Sequence, residues 1–329
     1  MDIQGVPCRP YHAIGRWRRG RVQAVNLSAR DLEYLHALLT YGALSTDLLA
    51  ALVTPGAPRR RTSDRMHLLK NLPNEYVVQP EAQEFTKNAN CTSLVYEISE
   101  KGVAALIDRG RISYADFVLW RNMQANFKPH HFDHDLTTAY ILGSMQLGAR
   151  ETGVRLIGTL EILSRPKCPD ETRRADNPLA IPYEANGERR VLIPDALFGL
   201  EYPAGACFFA LETDMGTEQL KENDLKNSTL ARKLRAYRNV IRDERYRARF
   251  ALPSLQILIV TASVTRMHNI MDCLRRIADC DGKGSTHPFL FKALPEVARR
   301  TRDKLPTTGH MLTVPWSRVN YPQINLSAL

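Results

Sequence analysis

The chain has 329 residues, of which 44% are hydrophobic, and a formal net charge of +10; this length predicts two domains, and this composition excludes a disordered chain. It contains no run of 18 apolar residues and no CxxC pair among its six cysteines, so we expect a cytoplasmic protein without a membrane span. The basic charge indicates an anionic partner, with nucleic acid the leading candidate, although a basic surface that only maintains solubility is the alternative.

The first 26 residues contain Arg16, Arg18, Arg19 and Arg21 but no apolar stretch after a charged start, so they do not form a secretory signal. We predict a flexible basic arm over residues 1–26. Such an arm either follows the phosphates of a nucleic acid or is a solvated tail, and both interpretations stay open.

Residues 27–112 are predicted to form a winged helix-turn-helix domain. Ser28 suits the N-cap of a first helix, and Ser45 or Thr46 suits the N-cap of a second. A third helix is expected over about 61–72, and two strand-like segments follow, at 76–79 and 93–98. Three helices followed by a hairpin are typical of winged helices, whose third helix reads the major groove of double-stranded DNA. A small helical domain used for protein contacts is the alternative.

The third helix has a broad apolar arc and an opposite polar arc. In a winged helix the polar arc faces DNA and the hairpin lies along the phosphate backbone. The expected DNA contacts are Arg59, Arg60, Arg61, Ser63, His67, Lys70 and Asn71 around this helix, with Lys87 at the hairpin tip. Arg65 falls within the apolar arc and therefore must snorkel or find a partner.

A connector is expected over residues 113–130, and a second domain over 131–281. This domain begins with a helix at about 132–151, followed by a strand at about 154–163 that contains Glu161. An acid within an apolar strand requires a partner. Residues 164–186 are polar and proline-rich, which predicts a loop. In the extension at 282–329, edge strands are considered at 289–291 and 311–314.

Two apolar runs, 191–200 and 206–212, flank a turn signal at 201–205 and predict a β-hairpin. Asp195 and Glu212 have position numbers that sum to 407, which centres the hairpin on this turn and places the two carboxylates side by side. Asp214 shares a strand face with Glu212 because side chains repeat every second residue. Clustered carboxylates suit Mg²⁺ or Mn²⁺, and strand-end acids facing water are the alternative.

A helix is predicted over about 225–245, with Leu230, Leu234, Tyr237 and Ile241 forming its buried stripe. Lys226 and Lys233 border that stripe and can reach the edge of the sheet. A continuous apolar strand at 254–261, of the kind buried on both faces, and a final helix at 264–278 follow.

This order, with Pro194-Asp195 on one strand and Glu212 on the next, resembles the PD-(D/E)XK nuclease fold, an α/β domain with a mixed sheet. The architecture more narrowly resembles the replication-relaxation family of plasmid proteins, which join a winged helix to a nuclease-like domain. The segments that carry the resemblance are LSARDLEYLHALLTYGALST, IPDALFGL, FFALETDMGTE and RKLRAYR, within residues 27–262.

The resemblance implies that Asp195 and Glu212 hold a divalent cation, Mg²⁺ or Mn²⁺, with Glu161 or another acid completing the shell. The nuclease pattern has Lys at the position of Asp214, and an Asp cannot stabilise negative charge on the attacking water or the phosphate. Either Lys233, or Lys226, supplies that charge from the neighbouring helix, or the domain binds DNA without cutting it.

Three functions remain open from the sequence. The first is a metal-dependent DNA endonuclease or nickase with Asp195, Glu212, Asp214 and Lys233 in its site. The second is a non-catalytic DNA-binding replication or transcription factor with a degenerate nuclease fold. The third is a protein-interaction scaffold that binds no DNA. A winged helix often acts as a dimer, so a homodimer is also considered.

Overall fold

The computed structural model describes residues 21–80, 93–124, 132–185, 187–216, 229–281, 286–294 and 306–329. The chain has a mixed α+β fold and divides into two compact units, Met1–Leu147 with Pro306–Thr308 and Gly148–Leu305 with Gly309–Leu329. The division falls within a long helix, Phe132–Thr152, whereas the predicted domain boundary lies near residue 130. Among the described residues, no helix has the length and apolar character needed to cross a membrane.

The first unit combines helices with a three-stranded antiparallel sheet. Its elements are α1 (Ala29–Tyr41), β1 (Leu44–Ser45), α2 (Thr46–Val53), α3 (Arg59–Lys70), β2 (Val77–Val78), β3 (Val95–Ile98), α4 (Glu100–Asp108) and α5 (Tyr114–Gln124), and α6 (Phe132–Thr152) begins here. Strand β3 lies between β1 and β2. The predicted succession of three helices and two strands is confirmed, and β1 is a short strand that the sequence analysis did not predict.

Helix α1 begins at a capping box, in which Ser28 and Asp31 exchange hydrogen bonds between side chain and backbone. Asp31 is 1% exposed and accepts two hydrogen bonds of 2.6 Å from the Arg65 guanidinium of α3. Burial alone would raise the pKa of Asp31, but the hydrogen bonds from Arg65 and Ser28 outweigh burial and lower it. Arg65 therefore has the partner that its position required, and the pair joins α1 to α3.

The predicted flexible arm, residues 1–26, is wrong for its last part. The Val22 amide donates to the Leu72 carbonyl at 2.8 Å, and the Val25 amide donates to the side chain of Asn74 at 3.0 Å. These two hydrogen bonds, one to a backbone carbonyl and one to a side chain, join residues 22–25 to the turn after α3. Residues 1–20 lie outside the described residues.

The second unit is built on a seven-stranded mixed sheet. The strands of this unit are β4 (Arg155–Ile157), β5 (Ile181–Ala185), β6 (Glu188–Leu192), β7 (Ala196–Tyr202), β8 (Gly205–Asp214), β9 (Gln256–Thr261), β10 (Phe289–Ala293), β11 (Trp316–Arg318) and β12 (Tyr321–Ile324). The main sheet has the order β12-β11-β10-β9-β8-β7-β4, with β8, β9 and β10 parallel and the other neighbours antiparallel. Strands β9 and β10 and the stretch of β8 from Phe208 to Thr213 are almost completely buried, as expected for parallel strands covered on both faces.

The two helices predicted after β8, at about 225–245 and 264–278, are present in this unit, and an additional short helix lies between them. The helices of the unit are α7 (Thr159–Leu163), α8 (Asp170–Arg174), α9 (Thr229–Arg242), the additional α10 (Arg245–Phe250), α11 (Val264–Asp281) and α12 (His310–Thr313). The α9 residues Leu230, Leu234 and Tyr237 are buried, which confirms the predicted stripe for these three positions. Both α9 and α11 place side chains against the face of β8 that carries Glu212 and Asp214.

Four local predictions in this unit are wrong. The strand expected at 154–163 ends at Ile157, and Gly158 is the N-cap of the short helix α7. The loop expected at 164–186 contains α8 and β5. The strand expected at 191–200 is interrupted at Pro194, which cannot donate a ladder hydrogen bond, so β6 pairs with β5 in a separate hairpin while β7 joins the main sheet. The segment at 311–314 is mainly helical, and β10 is an interior strand because β11 covers it.

Candidate active site

The hairpin of β7 and β8 brings Asp195 and Glu212 together in the predicted register. Ala196 pairs with Leu211 and Tyr202 with Gly205, so paired positions sum to 407 along the whole hairpin. Asp195 directly precedes β7, and its amide donates to the Leu211 carbonyl at 3.0 Å. The two carboxylates therefore occupy adjacent positions on neighbouring segments, as the sequence analysis predicted.

The Asp195 carboxylate is anchored by the strand that faces it. Its Oδ2 accepts a hydrogen bond of 2.7 Å from the Thr213 amide of β8. Its Oδ1 lies 4.0 Å from the Nζ of Lys233. This arrangement fixes one oxygen of Asp195 on the backbone and leaves the other directed towards the lysine.

Glu212 is 5% exposed and is held by two side chains from α9. Lys233 donates to its Oε2, and the Tyr237 hydroxyl donates to its Oε1 at 2.5 Å. Burial and then the nearby charge of Asp195 raise the pKa of Glu212 to about 7, although Lys233 and Tyr237 act in the opposite direction. One ammonium group therefore does not fully compensate two neighbouring carboxylates at this site.

Lys233 is brought to both acids by the helical geometry of α9. Its side chain is 36% exposed, so it lies at the boundary between the buried carboxylates and solvent. Of the two lysines considered from the sequence, Lys226 lies outside the described residues. The structure thus places Lys233 where a migrated motif lysine is expected.

Asp214 stands at the position where the nuclease pattern has Lys, and its carboxylate is engaged by an arginine and a threonine. It pairs with Arg266 of α11, including a hydrogen bond of 2.7 Å from Nη2 to Oδ1, and it accepts a further hydrogen bond of 2.7 Å from Thr261. The side chains of Asp214 and Arg266 are only 12% and 14% exposed. Asp214 therefore holds Arg266. Although this chain has Asp where the nuclease pattern has Lys, a positively charged side chain still lies beside the end of β8.

Glu161, the expected third acid, is not brought to this pair. It lies on helix α7 rather than in a strand, and both of its oxygens contact Arg155 at 2.9 Å. Arg155 also pairs with Glu201. Glu201 lies near the turn of the β7–β8 hairpin, whereas Asp195 precedes the opposite end of β7. Among the described residues there is no group of three or more His, Cys, Asp or Glu side chains arranged for a metal ion.

The donor set of Asp195 and Glu212 fits a hard divalent cation that keeps part of its water shell. Two closely placed carboxylates with a raised pKa at Glu212 indicate a site with excess negative charge when both are ionised. Mg²⁺ characteristically binds through one or two carboxylates and retains several waters, so a third protein acid is not required. Asp195 and Glu212 are therefore the residues that would hold Mg²⁺ or Mn²⁺.

The residues proposed to contact DNA occupy α3 and its surroundings with one exception. Arg59, Arg60, Arg61 and His67 are exposed, and Ser63 and Lys70 are half-buried. Arg59 pairs with Asp47 at 2.5 Å, and Lys70 donates to Gln79 at 2.7 Å. Asn71 is completely buried, and its side chain donates to the His67 carbonyl at 2.8 Å, so it caps the end of α3 and is not a surface contact. Lys87 lies outside the described residues.

Two contributors to the acidic site were not identified from the sequence. Tyr237 was placed in the buried stripe of α9 on periodicity alone, and Arg266 was not singled out. The signal for Tyr237 is its position four residues after Lys233, because residues at this spacing share a helix face. We see no comparable signal for Arg266, whose partner is 52 residues away in the chain.

A family model described as replication-relaxation matches residues 35–252, which is about two thirds of the chain. The matched range includes Asp195, Glu212, Lys233 and Tyr237. No curated protein matches the chain, and no solved structure matches it either.

Proposed function

Because the chain belongs to the replication-relaxation family, we propose that it is a DNA-binding protein that cuts or nicks DNA in plasmid or mobile-element replication. In this proposal the first unit is a winged helix that binds double-stranded DNA. The second unit is a PD-(D/E)XK-type nuclease domain that depends on Mg²⁺ or Mn²⁺. A homodimer, as used by many winged helices, is compatible with this arrangement.

The observation that carries the proposal is the convergence of Asp195, Glu212 and Lys233. Lys233 lies within hydrogen-bonding or ion-pairing distance of both acids, which come from neighbouring segments. Phosphodiester cleavage requires a held cation and a positive charge beside the developing negative charge. In this proposal the lysine belongs to α9 and not to β8. The β8 position at which the nuclease pattern has Lys holds Asp214, which pairs with Arg266.

Each side chain has a distinct part in the proposed reaction. Asp195 and Glu212 would hold the cation, which when bound polarises a phosphate and lowers the pKa of its water. Lys233 would stabilise negative charge on the attacking water or on the phosphate, because its Nζ lies at the solvent boundary next to both acids. Burial of Glu212 favours its neutral form, so the cation must displace a proton at acidic pH.

The first unit supports the DNA-binding part of the proposal through its element order and its charge. The order α1-β1-α2-α3-β2-β3, with β3 central in a three-stranded sheet, is the order expected of a winged helix and supports this part of the proposal. Exposed arginines at the start of α3 suit contacts with phosphates.

A nicking assay tests the proposal directly. The purified full chain is incubated with supercoiled plasmid and Mg²⁺ or Mn²⁺, and relaxed circles are quantified. We expect Asp195→Asn, Glu212→Gln and Lys233→Met each to reduce the rate at least about 100-fold. Glu161→Gln is the matched control and is expected to retain the wild-type rate, since Glu161 pairs with Arg155. Nicking that persists in Asp195→Asn or Glu212→Gln would refute the assignment.

A non-catalytic DNA-binding factor is the second candidate, and one observation favours it. The ammonium of Lys233 already hydrogen-bonds Glu212, so this acid has a cationic partner without any metal. Calorimetric titration of the wild-type chain with Mn²⁺ separates the candidates. DNA binding without measurable Mn²⁺ binding would select the non-catalytic function.

A further inference from the structure

The hydroxyl group of Tyr237 has a specific place in the acidic site. Tyr237 is completely buried and donates to Oε1 of Glu212 at 2.5 Å, while Lys233, one helical turn earlier, donates to Oε2 of the same carboxylate. The two oxygens are thus held by two residues of one helix, α9. The Lys233 ammonium also lies 4.0 Å from Oδ1 of Asp195, so the oxygen of Glu212 that it contacts, Oε2, shares this lysine with the second acid.

Orientation of this carboxylate matters because a carboxylate can rotate about its terminal bond. A hydrogen bond to one oxygen fixes that rotation and leaves the other oxygen directed at the site. Partners behind the metal ligands orient them and characteristically change metal affinity 10- to 100-fold when removed.

We propose that Tyr237 is a positioning residue that fixes Glu212 through Oε1, so that Oε2 is presented to a divalent cation shared with Asp195. The inference rests on the proposed function of the site, and it adds a residue that does not itself contact the cation. Lys233 contacts Oε2, the oxygen assigned to the cation, whereas Tyr237 contacts Oε1, so the bond from Tyr237 to Glu212 does not compete with a cation bound through Oε2.

Tyr202 offers a matched control in the same unit. Its hydroxyl is part of a buried hydrogen bond of 2.6 Å to the Leu326 carbonyl, and it lies at the turn end of the β7–β8 hairpin. Tyr237→Phe and Tyr202→Phe each remove one hydroxyl and one buried hydrogen bond. A purely structural role predicts similar behaviour of the two variants, since each loses one buried hydrogen bond.

The test is calorimetric titration of the full-length chain with Mn²⁺ in the wild type and both variants. We expect Tyr237→Phe to raise the Mn²⁺ Kd about 10-fold or more, and Tyr202→Phe to leave it within about twofold. An unchanged Kd in Tyr237→Phe, or an equal loss in both variants, overturns the inference while leaving the proposed nuclease intact. A wild-type chain that binds no Mn²⁺ overturns both.

A kinetic measurement covers the case in which Tyr237→Phe folds poorly. The nicking rate is recorded against Mn²⁺ concentration, because the half-saturating concentration does not depend on the fraction of folded protein. We expect this concentration to rise about 10-fold in Tyr237→Phe, whereas Lys233→Met lowers the saturated rate instead. A half-saturating concentration equal to that of the wild type overturns the inference.

Discussion

At the scale of single residues, Glu212 is a buried acid whose surroundings disfavour its charged form. It is an acid on a buried strand, adjacent to a second acid, and the partners that it has are a lysine and a tyrosine from one helix. Its environment explains both its raised pKa and its suitability for a cation. The same residue thus reduces the stability of the metal-free protein and supplies the chemistry that we propose.

A pH series tests this assignment. Because the pKa of folded Glu212 is raised to about 7 from an ordinary value near 4.5, the folded state binds a proton that the unfolded state has already lost between these values. The contribution of Glu212 to stability is therefore greatest near pH 5 and falls as the pH rises to 8. Relative to Glu212→Gln, we expect the free energy of unfolding of the wild type, measured by denaturant titration in EDTA, to decrease by about 1–3 kcal/mol over this range. A constant difference between the two proteins would show that Glu212 is ionised throughout.

At the scale of elements, strand β8 is tied to two helices through alternate residues. Glu212 bonds to α9 and Asp214 bonds to α11, because residues two apart on a strand share a face. The nuclease pattern uses this second position for its lysine. In this chain Asp214 pairs with Arg266 at that position, and in the proposed site the lysine is Lys233 of the helix that contacts Glu212.

Restoring the motif lysine by Asp214→Lys tests this view. The change removes the partner of Arg266 and places a second positive charge beside it in a largely buried site. We expect a loss of about 3–5 kcal/mol in the free energy of unfolding and no gain in nicking. Glu161→Lys, which breaks an exposed pair with Arg155, is expected to cost at most about 1 kcal/mol. Unchanged stability with faster nicking in Asp214→Lys would contradict the prediction.

At the scale of the whole molecule, two units carry different kinds of basic charge. In the first unit, exposed arginines cluster at the start of α3. In the second, Lys233 lies within an acidic site, where the role that we propose for it is catalytic. DNA affinity and phosphodiester cleavage are therefore expected to respond to different substitutions.

Salt dependence of DNA binding separates surface contacts from packing in the first unit. We expect Arg61→Ala to weaken DNA binding and to reduce the slope of log affinity against log salt by about 1, since it removes one phosphate contact. Asn71→Ala is expected to keep the slope and to lower the thermal midpoint, because Asn71 is buried at the end of α3. Fluorescence anisotropy at several salt concentrations measures both slopes, and an unchanged slope in Arg61→Ala would exclude this arginine from the interface.

Much of the framework could be predicted because local signals determined it. The turn between β7 and β8 set the register that joins Asp195 to Glu212, and helical periodicity placed Lys233 beside the buried stripe. The family resemblance is confirmed, and it rested on the same segments. Periodicity indicates which face is buried but not which polar atom a side chain meets, so the bond from Tyr237 to Glu212 could not be derived.

Errors arose where a tertiary partner decided the local structure. The run before β7 looks continuous in hydrophobicity, but β6 finds its partner in β5, and the chain leaves that hairpin at Pro194. Glu161 was predicted to lie within a strand, but it lies on the short helix α7, where it pairs with Arg155. Arg266 is distant in sequence from Asp214, and no pattern of spacing connects them.

The parallel pairing of β8 with β9 has a consequence for synthesis of the chain. Glu212 and Asp214 leave the ribosome well before residues 256–261, the segment that lies beside them in the sheet, and before Arg266. Some fifty further residues must therefore be synthesised before the surroundings of Glu212 and Asp214 are complete. A nascent chain that stops short of β9 is accordingly expected to lack the proposed cutting activity, because the strand that flanks Glu212 and Asp214 is missing.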